Sequence, residues 1–354
     1  MTNSVFPYCF DVATLLALPA GLRYRFRYLS KWIRLSAPVK SIEGLQAIIV
    51  LRRFVTAELV PVRWAVIDRV QSFGDIHYVE FVVGGYYSQP GRSGLVAAMT
   101  EAFDGLGVTN EPGKHLSALV FEIKCLSPAS GRGSDDPAEW YEIVRAIGSE
   151  ACYADFGFLR VARVETLTGR SAEVQVMKEG GRALSLRSGA TYLLDVTQHT
   201  PWQVDETEAI RNPYDVVLRA EPGTVTVVRG RQRVVGKYDL LRFILKTPEG
   251  YRRRLSFLEL VVKPGESSWK AIPSVLLSVT IAPTAWSRFF TWFRAGIGAA
   301  GFAGYIFAES LATRFGLGAE WVRGLGILVL VLATRSWAEV GRETAKKAPD
   351  LSLP

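Results

Sequence analysis

Two apolar blocks near the C-terminus constrain this chain more than any other feature. Residues 289–312 carry only Arg294 and Glu309 as charges, and after a TRFGLG connection a second apolar block occupies 319–340, densest at 324–334. A helix over 289–312 spans about 34 Å at 1.5 Å per residue, enough for a hydrocarbon core of ~30 Å. The second block is bracketed by Arg323 and Arg335, long side chains able to snorkel, with Trp321 and Trp337 at interfacial positions. Gly296, Ala300, Gly304 and Ala308 recur every fourth residue, a small-residue face that lets another helix approach closely. Inside a span, Arg294 and Glu309 need a partner or a wet path. Lys and Arg on the outer flanks place both ends of the hairpin on the cytoplasmic side. The expectation is a two-helix transmembrane hairpin over 285–342 in the inner membrane, with a charged cytoplasmic tail over 343–354.

The N-terminus gives no competing signal. Positions 1–10 contain no Lys or Arg, and the apolar run after them is broken by Pro19 and Gly21. A secretory signal is therefore not expected. Asp11 reads as the N-cap of a short helix over 12–18. Alternating runs at 22–33, 45–55, 60–70 and 76–87 read as strands, the last two joined through Gly74-Asp75. Ser93 and Asp136-Pro137 both mark helix starts, over 94–103 and from 137 to about 147. Residues 1–150 are thus expected to form an α+β domain. From 156 to 262, seven short strands separated by turn residues predict a β-sandwich or barrel-like domain over 151–284. Thr247-Pro248-Glu249-Gly250 reads as the turn of a hairpin between the last two strands.

Chemistry-bearing motifs are sparse. Three cysteines and three histidines, all far apart, argue against a disulfide scaffold and a zinc centre. No phosphate-binding loop, nucleophile elbow or metalloprotease motif occurs, so neither an enzyme nor a cofactor is expected. Asp75 and His77 make no triad without a nucleophile. The formal charge of +8 favours anionic partners. The run Arg23-Tyr24-Arg25-Phe26-Arg27-Tyr28, extended by Lys31, puts guanidinium groups on one face of a strand and rings on the other. Such a strand either grips phosphates or packs its rings inward while its arginines keep an edge soluble, and the second reading is favoured. A second basic set comprises Arg229, Arg231 and Arg233 with Arg252, Arg253 and Arg254. If the last two strands pair, both parts of this set lie near one end of a sheet, facing anionic lipid headgroups or a protein partner.

These features predict a membrane-anchored cytoplasmic sensor or partner-binding protein that forms homo-oligomers through its C-terminal helices. By architectural analogy, one version is a bacterial abortive-infection (defence) effector that permeabilises the membrane. The alternative is a soluble phosphate- or nucleic-acid-binding module whose C-terminal hairpin packs on a partner protein.

Overall fold

The structure, a computed structural model, describes residues 5–29, 34–35, 43–53, 56, 58–87, 96–97, 101, 119–120, 135–148, 157–177, 181–200, 214–236, 238–250, 253–263 and 274–330. The first half contains α1 (Val5–Ala17), β1 (Arg23–Leu29), β2 (Arg34–Leu35), β3 (Gln46–Arg52), β4 (Leu59–Phe73), β5 (Ile76–Tyr86), β6 (Leu119–Val120) and α2 (Pro137–Ile147). β4 and β5 form the expected hairpin, closed at Phe73↔Ile76, with Gly74 at φ 56 in its turn. An antiparallel sheet of order β1-β5-β4-β3 is built around it. α1 runs further than the short helix expected, so Asp11 is not a cap. It lies within the helix and accepts a hydrogen bond from the Tyr24 hydroxyl. α2 follows its sequence signals: Asp136 accepts from the Ala138 N–H at 2.9 Å, Pro137 opens the first turn, and Trp140, Ile143, Val144 and Ile147 are buried. Most of the helix expected over 94–103 lies outside the described residues.

The second half contains β7 (Phe158–Thr166), β8 (Glu173–Val176), β9 (Arg182–Arg187), β10 (Thr191–His199), β11 (Tyr214–Ala220), β12 (Thr226–Arg229), β13 (Arg231–Val234), β14 (Tyr238–Lys246), β15 (Arg254–Lys263) and β16 (Ser274–Ala282). They form two sheets, of order β12-β14-β10-β7 and β13-β11-β15-β16-β9-β8. The hairpin expected between β14 and β15 does not form. β14 pairs with β10 and β12, whereas β15 pairs with β11 and β16. The reason is local: the Thr247 hydroxyl donates to the Arg187 carbonyl at 2.6 Å and its N–H to the Ala190 carbonyl at 2.9 Å. Ser188 then donates to the Pro248 carbonyl at 3.0 Å. The segment is held by the β9–β10 turn, and the chain leaves for the other sheet. A similar crossing occurs at Gly230, between β12 and β13.

All three large sheets feed one hydrophobic cluster with α1 and α2, including Leu15, Phe26, Trp140, Phe243, Leu260 and Leu277. The body is therefore mixed α+β and rich in strand. Residues 1–248 with 254–281 make one compact unit, and residues 249–253 with 282–354 make a second.

The second unit contains α3 (Ala285–Ile306), α4 (Ala308–Phe315) and a further helical stretch at 319–330. Among the described residues, no helix is long and apolar enough to cross a membrane, which overturns the expected inner-membrane anchor. The physical reasons are readable in the elements. α3 holds Arg288, Arg294 and four glycines in 22 residues. The expected continuous helix is broken at Phe307 (φ −100°, ψ 22°), and α4 ends on left-handed Gly316, whose N–H caps the Ala312 carbonyl. Arg335, Trp337 and the tail over 343–354 lie outside the described residues.

Candidate functional site

The helical unit is tied together by glycine. A Cβ on Gly326 would fall 2.9 Å from the Gly301 carbonyl oxygen and 2.9 Å from the Tyr305 nitrogen. A Cβ on Gly301 would meet Val329 Cγ1 at 2.7 Å. The two helices thus touch backbone to backbone, an approach no larger residue permits. Nearby, Ala308 and Ala312 are buried, and Arg323 bridges Glu309 at 2.8 Å and Glu320 at 3.4 Å. The pairing that a charged residue at 309 requires is therefore supplied within the unit.

Of the four small residues singled out by sequence, only Ala308 is enclosed. Gly296 and Ala300 are exposed, and a Cβ on Gly296 or Gly304 would meet nothing within 4 Å. At 100° per residue, Phe289, Phe293, Gly296, Ile297, Ala300 and Gly304 share an arc of roughly 100°. Phe289, Phe293 and Ile297 on that arc are exposed, and the two phenylalanine rings stack at 5.9 Å. Arg294 lies on the same helix. On 319–330, Trp321 is 80% exposed and stands beside a concavity lined by Glu320, Gly324, Leu325 and Leu328.

The basic strand is built differently from an anion grip. β1 is an edge strand whose Phe26 is buried, meeting Phe81 edge-on at 5.5 Å, with Tyr24 half-buried beside it. Arg23 pairs with Asp68 and lies 3.8 Å from Glu80, while Arg25 Nε donates to Glu80 at 2.8 Å. Arg27 is exposed. Two of three guanidinium groups are therefore held by carboxylates from β4 and β5.

The second basic set does not converge. Arg229 ends β12 and donates to Gln232 at 3.4 Å. Arg231 and Arg233 stand on the edge strand β13, and Arg231 Nε donates to Asp215 at 2.9 Å. Arg231 is level with Val217 and so with Val261, whereas Arg254 opens the same strand β15, roughly 24 Å away. The expected grouping at one sheet end fails because β14 and β15 belong to different sheets. Arg253 immediately precedes Arg254. Lys31 and Arg252 lie outside the described residues.

Two buried polar constellations escaped the sequence reading. Arg63 on β4 is fully buried, donating to the carbonyls of Leu15 at 2.7 Å, Leu18, and Gly84 at 2.9 Å. Its guanidinium lies 4.3 Å over the Tyr86 ring and 3.6 Å from Asp135. Tyr86 donates to the Leu16 carbonyl at 2.8 Å. Together they satisfy the C-terminal carbonyls of α1, which would otherwise be stranded in the core. Burial pushes the Arg63 pKa down and the Tyr86 pKa up. The second constellation centres on Asp195, which faces Arg242 on one side and Arg163 on the other in the sheet register. Arg242 donates twice, at 2.8 and 3.0 Å, and Arg163 once, at 3.0 Å. Those hydrogen bonds, Arg242 foremost, hold the Asp195 carboxyl below the usual carboxylate range, against the opposing effect of burial. The available signal was a lone charge inside each apolar run, Val-Pro-Val-Arg-Trp and Leu-Leu-Asp-Val, which demands a partner.

His77 Nδ1 shares a hydrogen bond with Ser72 Oγ at 2.7 Å, across the β4–β5 hairpin. Among the described residues, no group of three His, Cys, Asp or Glu side chains is placed to hold a metal ion. No family model matches the chain, and no curated protein matches it.

Proposed function

We propose that this chain is a binding protein that assembles through its C-terminal helical unit. One observation carries the reading. Thirteen exposed large apolar side chains lie between residues 289 and 328, against eleven across all earlier described residues. Such density is out of proportion to what a monomer surface carries, and it marks a surface that is covered in use. Phe289, Phe293 and Ile297 are about half exposed, so covering the remainder of each yields roughly 0.7–1.5 kcal/mol. The exposed Gly296 and Ala300 beside them allow close approach of another helix, the association expected of these helices from sequence. The β-rich unit has the opposite character at its basic edge, where Arg23 and Arg25 are already matched by carboxylates.

The test replaces Phe293→Glu and Ile297→Glu together. Both side chains already face solvent, so the thermal melt of the β-rich unit stays unchanged while assembly, followed by light scattering after size-exclusion chromatography, is lost. Arg25→Gln with Arg27→Gln leaves assembly intact. Assembly that survives the paired glutamates overturns the proposal.

A further inference from the structure

Resting on that reading, we infer that the surface assembles two-fold with a second copy of this chain, Phe293 of each copy seating in the concavity on 319–330 of the other. Trp321, Gly324, Leu325 and Leu328 stand at i, i+3, i+4 and i+7, the four corners of the hole that receives one knob in helix packing. Gly324 supplies the depth: it lacks a side chain, and beyond its chain neighbours and the helix's own backbone nothing is described within 4 Å of where its Cβ would stand. The matching knob is Phe293, half exposed and stacked on Phe289.

Charge agrees with shape. The hole is edged by Glu320, which with Glu309 surrounds the single Arg323 and leaves a net negative charge. The α3 sequence has no acidic residue and carries Arg288 immediately before Phe289 and Arg294 immediately after Phe293. Each copy offers one knob and one hole, so a two-fold axis satisfies both and closes the assembly, which neither leaves a spare hole nor propagates. Gly296 and Ala300 then give the protruding Trp321 of the other copy room to lie against α3.

The experiment uses the full chain. Gly324→Leu fills the hole without touching the Gly301–Gly326 crossing, and it weakens self-association at least about tenfold in sedimentation velocity. In parallel, benzoylphenylalanine is placed at position 293 in chains mixed with isotopically heavy chains, and photo-adducts are mapped by mass spectrometry. Adducts between light and heavy copies on residues 320–328 are the expected result. If the chain self-associates but Gly324→Leu has no effect, or the adducts fall elsewhere, this pairing is overturned while assembly through the helical unit stands. A wild-type chain that remains monomeric, or adducts solely to lipid or to another protein, overturns both.

Discussion

Asp195 shows what a single residue contributes in this molecule. Its carboxylate is nearly enclosed yet accepts three charged hydrogen bonds, and its pKa lies below the unfolded value. A carboxyl with a depressed folded pKa adds stability that is fully present above the unfolded pKa, near 4, and disappears as pH falls through the folded pKa. Asp195→Asn should therefore cost about 1.5–3 kcal/mol at neutral pH, the worth of hydrogen bonds to a charged group. The gap between variant and wild-type melting temperatures should narrow as pH is lowered below the unfolded pKa, which calorimetry across pH checks. A gap that is constant with pH contradicts the charge-based account. At this scale the sequence was partly legible. Period-two alternation in Arg23–Tyr28 showed which side chains share a face. It could not show that Asp68 and Glu80 would meet Arg23 and Arg25, because those partners are delivered by sheet register from far along the chain. Arg63 was opaque for the same reason: its acceptors at Leu15, Leu18 and Gly84 come from α1, the residue that follows it and β5.

At the scale of elements, local turn and cap chemistry marks α2 and the β4–β5 hairpin but not the start of α1, and it does not determine which strands pair. Asp136-Pro137 started α2 where capping requires, and Gly74-Asp75 closed β4 on β5. Thr247-Pro248-Glu249-Gly250 has equally good turn chemistry but joins two sheets, since hydrogen bonds from Thr247 and Ser188 tie it to the β9–β10 turn. The fourfold spacing of Gly296, Ala300 and Gly304 marked a small-residue face, but sequence alone could not say which small line meets the second helix. The helices meet at Gly301 because Gly326 stands opposite it. The distinction is measurable. Gly326→Ala places a methyl 2.9 Å from backbone atoms of α3 and must push the helices apart. Gly296→Ala has open space and gains about 0.8–1 kcal/mol of helix propensity. Hydrogen exchange of the full chain should show faster exchange in 301–330 for Gly326→Ala, with slower or unchanged exchange for Gly296→Ala. Equal behaviour of the two variants contradicts the crossing described above.

For the whole molecule, the apolar C-terminal blocks were the strongest feature of the sequence, and they remain the feature most in need of a partner. Hydropathy along the chain suggested a bilayer. The break at Phe307 and the glycines and arginines of α3 instead leave no described helix both long and apolar enough to cross a bilayer, with large apolar side chains exposed. What sequence cannot supply is the folded exposure of each side chain, which separates residues that tie the unit together, such as Gly301 and Ala308, from those left outside, such as Phe293 and Trp321. The central claim, that this face is covered by another copy, is tested most directly by sedimentation equilibrium of the full chain in detergent-free buffer at micromolar concentrations. The account predicts a species of twice the 39.1 kDa chain mass that dissociates on dilution. A single species of 39.1 kDa at every concentration would contradict it.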